Sequence, residues 1–368
     1  FPLEQQFLYF KGDTIAWTGN SGSSSAPHLH FEIRDTKTQE IINPLLFGFK
    51  AKDTTPPIIK NLHVYPLNVN TSINGLNDTL RIPIQQVNAS KYTIENQNIS
   101  VHGMIGFGLE TFDQLDQAPN KNGVYSIELY VDSSLIYKHD MERFSFSETR
   151  YINSFMDYHA KKKYSLKPQK SFKDLNNRLS IYKHLQNEGR LEYYFNGAHQ
   201  AKYLVKDVAG NTSSIDFSFI SDTSLDVPSV SPQQIFFSYD EDHLYENEEI
   251  TFFIKKNSLY NDINFEYSKR QASTDFLTGI HCIHFDDTPV HIPFSISIVI
   301  DSIPSAYLHK ALICMVNKEG VTNCLSTTCR GDTLHANSRT FGEYSVVVDT
   351  IPPTLKTLSF VKDLRLVS

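Results

Sequence analysis

The chain has little of what marks a membrane-spanning or nucleic-acid-binding protein. It has no run of about eighteen apolar residues, so no helix could cross a bilayer. Lys and Arg number 34 against 41 Asp and Glu, a net charge of -7. No basic stripe interrupts that balance, which argues against nucleic acid as a partner. Cysteine is scarce: Cys282, Cys314, Cys324 and Cys329 make four, and none forms a C-x-x-C pair. A zinc ribbon is thereby excluded. Two bridges among the four would allow three connectivities, but small buried thiols or one incidental disulfide are the expected reading. The cysteines do not fix a compartment. With 40% hydrophobic and 20% charged residues, the chain is also too apolar to be disordered.

What is present favours strands. The 25 Phe and 19 Tyr stand beside four Met and one Trp, with β-branched residues, Ser, Asn and turn formers between them. Such side chains suit a pleated, half-buried surface better than a helix. The predicted class is all-β. At 368 residues the chain exceeds what one core usually serves, so two or three modules are expected. It begins at Phe1 without an initiator Met or a signal peptide and stops at Ser368 in mid-pattern, which points to a fragment of a longer polypeptide.

An internal repeat marks the modules. Asp53-Thr54-Thr55-Pro56-Pro57-Ile58-Ile59-Lys60-Asn61-Leu62 returns as Asp349-Thr350-Ile351-Pro352-Pro353-Thr354-Leu355-Lys356-Thr357-Leu358. Two prolines in succession remove two backbone donors, so each copy is predicted to be a stiff connector feeding an edge strand. Asp222 to Pro232, rich in Ser, Asp and Pro, reads as a second linker. The boundaries expected are 1–50, 54–222, 226–350 and 351–368, the last being only the opening strand of a further module.

Within 54–222, Val124 to Val131 reads as a strand, Asp132-Ser133-Ser134 as a tight turn and Leu135 to Tyr137 as the return. Ala201 to Lys206 and Ser214 to Ile220 form a second pair around Gly210 and Asn211, as at the close of an immunoglobulin-like sandwich. Ile152, Phe155, Met156 and Ala160 follow helical spacing, which predicts one short helix ending at Lys161-Lys162-Lys163. In 226–350, Ile250 to Ile254, Phe294 to Ile300, Tyr307 to Val316 and Tyr344 to Val348 read as strands of a second sandwich.

The chemistry lies near the amino terminus. Gly12-Asp13-Thr14-Ile15-Ala16-Trp17-Thr18-Gly19-Asn20-Ser21-Gly22 is followed by a Ser-rich loop and then by Pro27-His28-Leu29-His30-Phe31-Glu32-Ile33-Arg34. On a strand His28, His30 and Glu32 share one face, while Leu29, Phe31 and Ile33 turn into the sheet core. Neutral imidazole is a preferred zinc ligand, and a neighbouring histidine can move a proton. Alone, H-x-H is a weak signal.

The whole segment closely resembles the final strands of LytM and lysostaphin-type zinc metallopeptidases, over about the first fifty residues. Their pattern runs G-(D/Q/E)-x-I-(A/G)-x-(S/T)-G-N-(S/T)-G, a short loop, then P-H-L-H-F-E-I-R. The resemblance implies that His30 is a zinc ligand and that His28 assists catalysis on the metal-bound water. It also implies an upstream H-x-x-x-D segment for the other ligands, which this sequence does not contain, so this chain alone is expected to hold an incomplete zinc site. The remainder resembles the carboxy-terminal extensions of Bacteroidota-type members, in which Ig-like modules follow the peptidase domain. Asn122 to Tyr125, Glu148 to Asn153, Ser258 to Asp262 and Phe341 to Tyr344 look like landmarks of that extension.

The function implied is an exported zinc metalloendopeptidase of the periplasm or cell envelope, acting on stem or cross-link peptides of peptidoglycan, with envelope proteins as further partners. Two other classes stand beside it: a non-catalytic LytM-like factor that activates other wall hydrolases, and a structural array of envelope β-sandwiches. His281, His284 and His291, with Cys282, Asp286 and Asp287 between them, are a weaker metal candidate set against a solvated, partly stacked loop. Limited proteolysis should first cut within residues 222–232; initial cleavage inside Val124 to Tyr137 would overturn the boundary.

Overall fold

The computed structural model describes residues 8–19, 26–48, 51–95, 98–226, 235–272, 276–300 and 305–354. These residues form an all-β protein with two large cores, beside a small cluster of Phe155, Leu179 and Ile181. One gathers residues from Ile59 to Phe219, and the other residues from Phe237 to Val346.

The first module is built on the 13-residue strand Ser100–Phe112. Its later half pairs with Ile58–Pro66 and Gln169–Lys170; its earlier half takes Ser72–Ile73, Leu191–Tyr193 and, in parallel, the end of Thr212–Ser221. Twelve strands of the module therefore form one continuous sheet that folds back on itself. Its other half is antiparallel, with Thr212–Ser221 on Gly197–Lys206, then Ser126–Val131 and Ser134–Asp140. Alternation drives this half. Ala201, Tyr203 and Val205 face the core together with Ile215, Phe217 and Phe219, while Lys202 and Asp216 pair outside at 3.5 Å. The hairpin turn is Asp132-Ser133, both residues at positive φ (48° and 68°), the two-residue geometry whose twist matches its strands.

Close approach dictates two glycines. A Cβ on Gly106 would collide with the Phe172 ring, and one on Gly108 would lie 2.9 Å from the Gln169 carbonyl oxygen. Only a bare backbone lets the segment around residues 169–172 lie against the long strand.

Three expectations are corrected. The strand Ile58–Pro66 is interior, flanked by Ser100–Phe112 and Leu80–Gln86. Pro56 and Pro57 precede its ladder, so their missing donors leave no gap in it. The expected single helix is two, Ile152–Phe155 and Tyr158–Tyr164. Met156 is extended between them, and the Asp157 carboxylate accepts from the Ala160 N–H at 2.8 Å. An N-cap of this kind restarts a helix rather than continuing one. Tyr307 to Lys310 belongs to the 3-10 turn Ser305–Lys310, and the strand runs Ala311–Asn317.

The second module is a sandwich of two five-stranded sheets. Ile250, Phe252, Ile254, Phe294, Ile296 and Ile298 come from one sheet and Ile283, Ile313, Tyr344 and Val346 from the other, all buried in a shared core. Cys314 and Cys324 join the strands Ala311–Asn317 and Gly320–Cys324 by a disulfide, and Cys282 and Cys329 are thiols. Residues 227–234, most of the expected linker, and 355–368, most of the expected closing strand, lie outside the described residues.

The modules meet at a polar seam. Asn176, 1% exposed, donates its amide Nδ2 to the carbonyls of Asn257 (3.0 Å) and Leu259 (2.8 Å), and its N–H to that of Tyr260 (2.9 Å). In return the Tyr260 hydroxyl donates to the Arg150 carbonyl at 2.8 Å, and the Tyr151 ring stacks on His291 at 4.3 Å. Buried backbone groups must find partners, and here each module supplies those of the other. A chain nicked within residues 222–232 should therefore run as one species on native size exclusion and separate only in denaturant. Separation of the halves under native conditions would contradict the seam.

Candidate functional site

The histidine-bearing segment is tied to the first module through a small sheet. Ile33–Arg34 pairs with Ile41–Ile42, which pairs with Arg143–Phe144. The Asp35 carboxylate shapes the reversal by accepting from the Lys37 and Thr38 N–H groups at 2.8 and 2.9 Å. Beyond it, the Asn43 side chain caps the 3-10 turn Pro44–Phe47 and donates to the Met141 carbonyl at 3.3 Å. At the other end an isolated antiparallel bridge joins Gly19 to His28, whose N–H donates to the Gly19 carbonyl at 3.4 Å. The Gly12 to Gly19 stretch is thus laid beside the H-L-H run. Residues 20–25, the expected Ser-rich loop, lie outside the described residues.

His28 and His30 open on one hollow of about 430 Å³, walled by Trp17, Thr18 and Gly19. Their tautomers follow from their partners. His28 Nδ1 lies 3.1 Å from the Ala26 carbonyl; a carbonyl only accepts, so Nδ1 carries the proton and Nε2 is the basic nitrogen of the neutral ring. His30 Nε2 lies 2.6 Å from Glu32 Oε1. The carboxylate there is ionised, held below its usual range first by this bond and then by Arg34, whose Nε and Nη2 donate to Glu32 Oε2 at 2.8 and 2.5 Å. In the neutral ring His30 therefore carries its proton on Nε2 and its lone pair on Nδ1. A carboxylate that fixes the tautomer of an imidazole in this way is the usual outer partner of a metal-ligating histidine.

The expected shared face of His28, His30 and Glu32 is consistent with this geometry, but the opposite face is not as expected. Leu29 is 74% exposed and Phe31 57%, so neither enters a core among the described residues. The cause is the ladder: among the described residues regular pairing begins only at Ile33.

As zinc donors, two imidazoles are chemically right, but a catalytic site needs three protein ligands and an open position. Among the described residues no cluster of three or more metal-type ligands includes His28 or His30, and Glu32 is committed to Arg34 and His30. Among the described residues the segment offers two imidazoles and closes no metal site.

The second histidine group does not converge. His281 Nδ1 pairs with the Tyr267 hydroxyl at 2.9 Å, His284 Nε2 with Thr288 Oγ1 at 3.1 Å, and His291 Nδ1 with the Tyr260 hydroxyl at 3.1 Å. His281 is a strand residue, 1% exposed, and not part of a solvated loop. These rings serve packing. Sequence reading also missed the carboxylates Asp53, Asp113 and Asp207, which the fold brings together; their sequence separation hides them, and only Asp53 stood in a motif.

Comparison with known protein families gives a local match. A family model described as a Zu5-like domain matches residues 234–349, the stretch that carries the second sandwich and excludes His28 and His30. No curated protein matches the chain.

Burial pushes the His281 and His284 imidazoles down to about 4. The fold holds them neutral, whereas the unfolded chain takes up the protons near pH 6.5. Their contribution to stability should therefore be complete above 6.5 and decline as pH falls from 6.5 towards 4. Denaturant titrations of the full chain at stepped pH should show that decline, shallower in His281→Gln. An identical slope in the variant would remove His281 from the account.

Proposed function

We propose that this chain is a fragment of an exported zinc metalloendopeptidase of the LytM/lysostaphin type, which hydrolyses peptide cross-links of bacterial peptidoglycan, and that it carries the C-terminal part of the catalytic domain. The β-sandwich modules that follow serve as spacers or as docking surfaces for envelope proteins. The observation that carries the reading is the pair of opposite tautomers in one hollow, with His30 presenting Nδ1 and His28 presenting Nε2. A site for peptide hydrolysis needs both, one nitrogen to ligate and one to shuttle a proton.

In this reading His30 would hold zinc through Nδ1, oriented by Glu32, which Arg34 keeps ionised. His28 Nε2 would take up and return a proton as the scissile bond is broken, its ring held by the Ala26 carbonyl. Zinc, when bound, supplies polarisation of the scissile carbonyl and acidification of water. The remaining ligands are assigned to an H-x-x-x-D segment outside this sequence. The exposed faces of Leu29 and Phe31 support that assignment, because they present the apolar surface that further strands of the peptidase sheet would cover. A disulfide between Cys314 and Cys324 supports an oxidising compartment such as the periplasm.

The test is made in a chain extended upstream to include the H-x-x-x-D segment. His30→Ala should abolish zinc binding, and His28→Ala should keep the metal while losing about a hundredfold to ten-thousandfold in rate. Zinc is read by elemental analysis and hydrolysis by release of fragments from purified peptidoglycan. Full activity in His28→Ala, or undiminished zinc in His30→Ala, would reverse or remove these roles. Absence of both zinc and hydrolysis in the unsubstituted extended chain would favour a non-catalytic activator of other wall hydrolases.

A further inference from the structure

Three carboxylates distant in sequence converge where the first module begins. Asp53 lies in the D-T-T-P-P segment, Asp113 directly follows the strand Ser100–Phe112, and Asp207 directly follows Gly197–Lys206. One oxygen from each lies within 4.8 Å of the others. Asp113 and Asp207 are buried, Asp53 half-buried. Among the described residues none of the three forms an ion pair with Lys, Arg or His. Asp53 accepts from the Thr55 N–H at 3.1 Å, and Asp207 from the N–H and amide of Asn211 at 2.8 and 2.7 Å. Three like charges gathered out of water with so little compensation are costly, and proteins answer with protons or a cation.

Two further atoms decide which. Asp113, only 5% exposed, has an oxygen, Oδ1, without a hydrogen-bond partner, and Gln169, 9% exposed, leaves its amide oxygen Oε1 equally unpartnered. Asp53, Asp113 and Gln169 line one cavity of about 520 Å³. A proton shared between Asp53 and Asp207, whose side chains lie in hydrogen-bond reach of each other, would still leave Asp113 Oδ1 and Gln169 Oε1 without donors. Buried acceptors without donors are rare in native proteins and mark an unseen water or ion. Burial and the neighbouring Asp207 and Asp53 push the Asp113 carboxyl up to about 6, the strain that a bound cation would relieve.

We propose that Asp53, Asp113 and Asp207 hold a calcium ion that clasps the leading segment of the module to the ends of two of its strands. The donor set is all oxygen, which disfavours zinc, and the roomy cavity with an amide oxygen on its wall suits the six to eight flexible ligands of Ca²⁺ better than the tight octahedron of Mg²⁺. The clasp completes contacts already in place, since Asn211 Nδ2 donates to the Asp53 carbonyl at 3.2 Å and Ser213 Oγ to the Pro57 carbonyl at 2.5 Å. It is separate from the His28 and His30 hollow and does not depend on the function proposed for it.

The experiment follows thermal unfolding and isothermal titration of the full chain, stripped with EDTA and then supplied with CaCl₂ or MgCl₂. Calcium should raise the midpoint of the calcium-sensitive transition by about 5 °C or more, with one site per chain in the titration and a much smaller effect of magnesium. Asp113→Asn should weaken calcium binding by at least about tenfold. Asp53→Asn, at a half-buried irregular position that tolerates change, should do the same and guards against misfolding of the first variant. No calcium-dependent shift, an equal shift with magnesium, or the same shift in both variants would overturn the proposal.

Discussion

The strand Ser100–Phe112 is the constraint on which the rest depends. It meets five partners along thirteen residues, and a strand so long can serve both halves of a module only if it bends and lets other backbones come close. Gly106 and Gly108 provide the clearance on one side, where Phe172 and the Gln169 carbonyl approach. On the other side Phe107 packs edge-on against Phe217 and Phe219 at 5.4 Å each. The alternation of nothing and a large ring along three consecutive residues is therefore a packing instruction: one face of the strand admits a neighbouring chain segment, the other fills the core.

From that strand the order of the molecule propagates outward in both directions. The segment held at Gly106 and Gly108 continues into Asp174, Leu175 and Asn176, and these carry the seam to the second sandwich. The Lys170 ammonium and the Ser154 hydroxyl both reach the Asp174 carboxylate, at 2.5 and 2.6 Å, so the loop that presents Asn176 is fixed from within the first module before it engages the second. In the other direction Arg143–Phe144 carries the small sheet that holds Ile33–Arg34. The two-helix insertion lies between these attachments, which explains why an otherwise regular β-module tolerates it.

Much of the scaffold was legible because it obeys period two. Ala201 to Lys206 and Ser214 to Ile220 were placed by alternation, and the structure extends each by a few residues. The Asp132-Ser133 turn was legible because few sequences other than a tight hairpin place small polar residues between two apolar alternations. The helix was read as one because apolar spacing does not register Met156 in an extended conformation. The edge-strand expectation failed because proline governs only its own residue and does not determine what flanks the strand after it. Landmarks recognised without a role acquire one in space. Glu148 to Asn153 and Ser258 to Asp262 meet at the seam, and Asn122 to Tyr125 line the cavity beside Asp53 and Asp113. The carboxylate cluster was not legible, since residues 53, 113 and 207 come together only once the sheet has folded back.

Trp17 gives the hollow beside His28 and His30 an optical property. It is the one tryptophan of the chain, it is 90% exposed, and it walls the same hollow as both histidines. The two sandwiches carry only tyrosine and phenylalanine, so light absorbed at the red edge of the protein band is emitted from this place alone. A ligand seated in the hollow would shift that emission to the blue, and a protonated imidazole at its side would quench it. The molecule thus carries a native fluorophore placed at its amino-terminal hollow.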